Sequence, residues 1–172
     1  MGKPQFSTLT FWWELSLGLP NGAESSEYPR LQWTETVSIS REDVSNFAHI
    51  SGDSNPIHLC EHSAQAAGFP TTIAHGMHLM GLGASFLIRG SQLIGRAREQ
   101  AVITHYRARF ANPVLIRTGH PAAIELCASV RSSRSPSHHA TAQLIANSAD
   151  SHVLSPAAAE LIWPDGGPRR AW

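Results

Sequence analysis

The 172 residues suit one domain, and 42% apolar with 15% charged residues describes a globular chain with a lightly charged surface. Formal net charge is zero and no segment carries a basic stripe, so the electrostatic footprint of nucleic-acid binding is absent. Two cysteines, Cys60 and Cys127, show no CxxC spacing and read as reduced thiols, and no stretch is long and apolar enough to span a bilayer.

Residues 1–30 read as an N-terminal extension ending in the loop-like run Gly18-Leu19-Pro20-Asn21-Gly22. Its Phe11-Trp12-Trp13 patch reads as a packing arm. A single early lysine and Glu14 inside the apolar run make a poor targeting signal, so a soluble, cytoplasmic protein is expected. Trp33 to Ile39 alternates as a strand, with Trp33, Glu35, Val37 and Ile39 on one side. Ser40 then suits an N-cap, with Glu42 and Asp43 in a first turn where the helix dipole favours acids. The helix Arg41–Ser51 places Val44, Phe47 and Ala48 on one face, and Gly52 suits its left-handed C-terminal position. Asn55-Pro56 reads as the next N-cap with proline at N1, opening a helix over Pro56–Ala67 that stops at Gly68. A third, apolar helix runs from Gly76 towards Arg89. Its Gly76, Gly81 and Gly83 lower helix propensity and imply close approach to a sheet.

The remainder reads as strands. Ala101–Phe110 alternates Val102, Thr104, Tyr106, Ala108 and Phe110 against Ile103, His105, Arg107 and Arg109. Val114–Arg117 is a candidate between Pro113 and Gly119. Ala122–Arg131 puts Ile124, Leu126, Ala128 and Val130 on one face. Ala140–Ala146 and Val153–Trp163 complete the set, and the Pro/Gly/Arg-rich tail 164–172 reads as loose. A strand, three helices and then a run of strands describes a single α+β domain over 31–163. Its antiparallel sheet packs against a central apolar helix.

The segment Gly52-Asp53-Ser54-Asn55-Pro56-Ile57-His58 carries the chemistry. The Asn55-Pro56 cap makes His58 the third helical residue, where the positive helix end disfavours protonation, and Asp53 lies just outside the same end. A carboxylate and an imidazole held together by a proline-stiffened turn suit general acid–base work on one water. By itself this turn is equally compatible with an Asp that caps backbone N–H groups and a surface His. The second element, Ile73-Ala74-His75-Gly76-Met77, shifts the reading. Gly76 opens the next helix, its N–H is an orphan donor, and glycine lets a ligand approach the backbone closely. Such an N–H can polarise a carbonyl oxygen. Acid–base pair plus oxyanion donor is the minimum set for chemistry alpha to a carbonyl.

Phe47-Ala48-His49-Ile50-Ser51-Gly52-Asp53-Ser54-Asn55-Pro56-Ile57-His58, followed by Ala66-Ala67-Gly68-Phe69 and Ile73-Ala74-His75-Gly76-Met77, resembles the MaoC-like, R-specific enoyl-CoA hydratase (hydratase 2) family. The resemblance covers roughly residues 32–163. It implies a hotdog fold and a homodimer with the substrate in a tunnel near the subunit interface. It implies syn addition of water to a trans-2-enoyl thioester, giving an (R)-3-hydroxyacyl thioester. It makes Asp53 and His58 the catalytic pair and Gly76 the holder of the thioester oxygen, with His75, Asn55 and Ser85 as further substrate-binding candidates. No metal or redox cofactor is implied; CoA or an acyl-carrier pantetheine belongs to the substrate. One departure stands out: the serine that family members often carry eight residues past the glycine is here Ala84, and Ser85 follows it.

Three other readings bear on the same residues. His58/His62 and His75/His78 have chelating spacings, but Glu61 lies between the first pair out of place for the H-E-x-x-H pattern and no further carboxylate or Cys partner is obvious, so no metal is assigned. Cys60 is two residues from His58, and i, i+2 neighbours on a helix point apart, which sets aside a Cys–His nucleophile. Ala84 and the N-terminal extension motivate an alternative enzyme of a polyketide or other natural-product pathway, a dehydratase or a cyclase on a polyene chain. A non-catalytic acyl-binding module is a further alternative.

Overall fold

The computed structural model describes residues 30–94, 101–131, 139–149 and 151–163; the expected extension with its Phe11-Trp12-Trp13 patch and the expected loose tail lie outside them. Strand β1 (Arg30–Ile39) begins earlier than its alternation suggests, and it turns Trp33 and Ile39 inward at about 1% exposure each. Helix α1 (Arg41–Ser51) starts on a capping box. The Asp43 backbone N–H donates to Ser40 Oγ at 3.2 Å, and the Ser40 N–H donates to the Asp43 carboxylate at 2.8 Å. It ends at Gly52, whose φ of 77° is the left-handed position expected of that glycine.

The helix expected over Pro56–Ala67 is two helices, α2 (Pro56–Leu59) and α3 (Glu61–Ala66), broken at an extended Cys60. The break has a tertiary cause. Ile73 N–H donates to the Ile57 carbonyl at 3.3 Å, and the His58 ring meets the Ile73 carbonyl at 2.9 Å. That pairing draws residues 57–58 towards residue 73. Helix α4 (Gly76–Ile94) follows, 19 residues long. No helix among the described residues is long and apolar enough to cross a membrane.

Strands β2 (Val102–Phe110), β3 (Ala122–Arg131), β4 (His139–Ser148) and β5 (Ser151–Ile162) join β1 in one antiparallel sheet of order β1-β3-β4-β5-β2. In β3 the predicted inward set, Ile124, Leu126, Ala128 and Val130, is fully buried. In β2 the alternation breaks. A bulge between Ile103 and His105 changes the phase, so Ile103, Tyr106 and Ala108 are half-buried while Val102 is exposed. Val114–Arg117 does not join the sheet. Val114 and Ile116 instead bond residues 72–74, with Ala74 N–H on the Val114 carbonyl at 2.9 Å and Ile116 N–H on the Thr72 carbonyl at 2.8 Å.

Helix α4 lies across the inner face of the sheet. Phe86 and Leu87 are fully buried there with Leu126, Leu144, Leu154, Leu161 and Trp163; each such side chain contributes about 1.5–3 kcal/mol. Gly76, Gly83 and Gly90 recur every seven residues, two helical turns apart, and so share one face. Each receives an aromatic ring: Phe110 at Gly76, Tyr106 at Gly83 and Trp33 at Gly90. Gly81, off that face, meets nothing. A Cβ at Gly90 would overlap the buried Trp33 indole. Gly90→Ala is therefore expected to destabilise the fold by about 1–3 kcal/mol through overpacking. Thermal unfolding checks this, with Gly81→Ala as the comparison expected to leave the midpoint unchanged or raised.

Candidate active site

Three elements meet at the start of α4. The first is the turn after α1. Gly52 N–H closes α1 on the Ala48 carbonyl at 3.0 Å, and the next residues fold as an Asx turn, with Asn55 N–H donating to Asp53 Oδ1 at 3.3 Å. The second is α2, capped by the Asn55 side chain, which accepts from Ile57 N–H at 3.3 Å. The third is the segment 71–75, pinned from below. Thr71 and Thr72 hydroxyls both donate to the Ile116 carbonyl at 3.1 Å, beside the backbone bonds to residues 114–116.

These supports bring His58, His75 and the Asp53 carboxylate together, with ligand atoms all within 4.8 Å of one another. Both imidazoles are buried and Asp53 is exposed. A carbonyl only accepts, so the 2.9 Å bond from His58 Nδ1 to the Ile73 carbonyl places the proton on Nδ1. The other nitrogen, Nε2, is left to exchange a proton. His75 does the converse: its Nε2–H donates to the Asp53 main-chain carbonyl at 3.0 Å, across 22 residues. Its ring stacks on His58 with centroids 3.8 Å apart. His75 thus holds both the Asp53 turn and the His58 ring in place, a role that residue type and spacing alone did not distinguish from substrate binding.

The stack continues through Phe47, 5.0 Å from His75 and 4.8 Å from His78 between centroids. His78 is half-buried against Phe47. Burial pushes its imidazole below the ordinary histidine range; the Asp43 carboxylate pulls it back up, and His75 adds to the depression. Gly76 opens α4, and its N–H meets no acceptor among the described residues. The Phe110 ring lies where a Gly76 side chain would be, at 3.0 Å from a Cβ built there.

The other candidates take different places. Ser85 is exposed further along α4, roughly 13 Å from Gly76 at about 1.5 Å per residue. Its hydroxyl accepts from Arg89 at 2.6 Å, and Arg89 pairs with Glu35 at 2.7 Å, so Ser85 belongs to a surface ion-pair network. Asn55 acts as a helix cap. Cys60 is exposed and free, and hydrogen bonds from Ser63 hold its thiol below the usual range. Among the described residues, the group of three that could hold a divalent cation is Asp53, His58 and His75, which takes one histidine from each of the two pairs that sequence spacing offered. A depression of about 360 Å³ lined by Thr36, Glu125, Asn147 and His152 opens on the solvent side of the sheet and includes none of these residues.

The chain is similar to known proteins. The chain is 45% identical over 78 residues to a 3-hydroxybutyryl-CoA dehydratase of Methylorubrum extorquens, covering 45% of this chain and 46% of that protein. It is 39% identical over 80 residues to an (R)-specific enoyl-CoA hydratase of Rhodospirillum rubrum, covering 45% and 51%. These matches span about half the length of either relative. Among solved structures, a MaoC-like dehydratase superposes with a TM-score of 0.67 at 28% identity, over 78% of this chain and 39% of that one. An (R)-hydratase from A. caviae superposes at 0.66 with 24% identity, over 83% of this chain and 100% of that one, which establishes the shared hotdog fold. The MaoC like domain model matches residues 26–147, taking in the Asp53 turn, His58, His75 and Gly76 alike, and the chain belongs to that family.

Proposed function

We propose that this protein is a hydro-lyase that interconverts trans-2-enoyl and (R)-3-hydroxyacyl thioesters. The observation that carries this reading is the His58 tautomer. With Nδ1–H spent on the Ile73 carbonyl, Nε2 is the nitrogen left to exchange a proton, on a ring brought within a few ångströms of the Asp53 carboxylate beside the start of α4. Water held between the two loses a proton to the pair as its oxygen adds to C3. Asp53 delivers a proton to C2, so that H and OH are both accounted for. Negative charge that gathers on the thioester oxygen is met by the Gly76 N–H, a donor with no other acceptor among the described residues. The reverse sequence eliminates water.

The addition forms the C3–O and C2–H bonds at the expense of the C=C π bond and one O–H bond of water, with no external oxidant or reductant, so an acid, a base and a donor suffice, and CoA or an acyl-carrier pantetheine arrives as part of the substrate. The reading includes a cytoplasmic homodimer. Exposed Val102 and Phe110 on β2, an edge strand of the sheet, support an apolar partner surface. With crotonyl-CoA, the purified protein is expected to bleach the enoyl absorbance, and chiral analysis is expected to return the (R)-3-hydroxybutyryl thioester. A product of (S) configuration, or no turnover of enoyl thioesters of any length, would refute the assignment.

A further inference from the structure

The cluster of Asp53, His58 and His75 has a second chemistry besides proton transfer. Each imidazole spends one nitrogen on a main-chain carbonyl: His58 Nδ1–H donates to Ile73 at 2.9 Å and His75 Nε2–H to Asp53 at 3.0 Å. The remaining nitrogens, His58 Nε2 and His75 Nδ1, therefore carry lone pairs. His75 Nδ1 is buried without a hydrogen-bond partner among the described residues, on a side chain only 1% exposed. An imidazole with one N–H on a backbone carbonyl and the other nitrogen bare is the form in which histidine ligates metals. Asp53, at the exposed edge of the cluster, adds an anionic oxygen in contact with solvent.

One ligand atom from each residue lies within 4.8 Å of the other two, so some point lies at most about 2.8 Å from all three. Bonds to zinc are about 2.0–2.2 Å, so each ligand has to close by less than roughly 0.8 Å. The Asp53 carboxylate is exposed and held by a single 3.3 Å bond from Asn55 N–H, which lets it move. The His58 and His75 faces, 3.8 Å apart, leave no room between the rings, so a cation meets their nitrogen-bearing edges. Two nitrogens and one carboxylate oxygen suit Zn²⁺ and its transition-metal neighbours, whereas Mg²⁺ and Ca²⁺ prefer oxygen alone. We propose that Asp53, His58 and His75 form an inhibitory site for Zn²⁺. Hydration needs the His58 Nε2 lone pair and an Asp53 carboxylate that takes and gives a proton, and a cation bonded to both withdraws them together. The inhibition rests on the hydro-lyase reading above; the binding rests on the three side chains alone.

The test uses the tag-free full chain, stripped with a chelator and titrated with Co²⁺ and then Zn²⁺. Co²⁺ is expected to bind at one per chain with the visible absorption of a four- or five-coordinate ion, and Zn²⁺ to displace it. Zn²⁺ affinity is expected to fall at least about tenfold in Asp53→Asn and in His75→Gln. His62→Ala, an exposed histidine outside the cluster, is expected to bind as the wild type does. On crotonyl-CoA, Zn²⁺ is expected to abolish hydration with the midpoint of its binding, excess EDTA to restore it, and Mg²⁺ to have no effect. Absence of one-per-chain binding overturns the site, as does wild-type affinity in a folded Asp53→Asn protein, which decides the matter should His75→Gln not fold. Zn²⁺ bound through these residues with hydration intact overturns the inhibition. A metal-free chain that hydrates no enoyl thioester overturns the hydro-lyase reading, and the Co²⁺ titration then decides the site by itself.

Discussion

Asp53→Asn is expected to lower kcat on crotonyl-CoA by about 10²–10⁴-fold, the usual scale for losing one positioned acid–base group, and to leave the thermal unfolding midpoint nearly unchanged. The two halves of that expectation have separate grounds. The carboxylate is exposed, so its replacement leaves no buried polar group unpaired. Its structural bonds survive the change. The His75 ring is held by the Asp53 main-chain carbonyl, not by the side chain, and an amide oxygen accepts from Asn55 N–H as the carboxylate oxygen does. What asparagine lacks is a proton to give or a lone pair basic enough to take one. His58→Ala is expected to fall within the same range of activity loss but with a stability cost of about 1–3 kcal/mol, because the buried Ile73 carbonyl then loses its donor. Steady-state rates and thermal unfolding on both variants check the pair. A folded Asp53→Asn protein turning over at the wild-type rate would remove Asp53 from the mechanism.

Gly76→Pro is expected to cost about 10²–10³-fold in kcat, the scale for one lost oxyanion donor. The substitution is informative because Gly76 is the first residue of α4. Proline at that position keeps the helical φ and removes an N–H that the helix does not use, and its ring, like an alanine Cβ, requires the Phe110 tip to shift. Gly76→Ala is the comparison: it retains the N–H, and its Cβ would lie 3.0 Å from the tip of the half-exposed Phe110 ring, which can shift aside. The alanine variant is therefore expected to lose far less than the proline variant. Equal losses in the two, with both folded, would mean that the space at Gly76 matters and its N–H does not.

Much of the local structure was legible in the chain because its causes are local. Ser40 with Asp43 caps α1, Gly52 ends it in the left-handed conformation, and Asn55-Pro56 opens α2, each from a side chain or a φ preference within four residues. The inward face of β3 follows period-two alternation because both of its neighbours pair in register. The bulge in β2, the break at Cys60 and the loss of Val114–Arg117 from the sheet were not legible. All three are set by partners 15 or more residues away, which periodicity within a segment does not report.

The same division holds at the site. Residue types and spacing pointed to Asp53, His58 and Gly76, because proton transfer and oxyanion contacts need particular atoms near helix ends, and the fold brings Asp53 and His58 together beside the start of α4. They placed His75 among substrate-binding candidates and offered Ser85 beside it. The fold separates those two: His75 bridges the Asp53 carbonyl and the His58 ring, while Ser85 faces Arg89 on the surface. A helix presents a residue every 100°, so one step along α4 carries a side chain from one face towards another. Sequence alone determined which titratable side chains and helix ends stand near one another along the chain. Only tertiary packing decided which His58 nitrogen is free, through the Ile73 carbonyl that orients its ring, and how closely α4 lies on the sheet, through the glycine face that admits three rings.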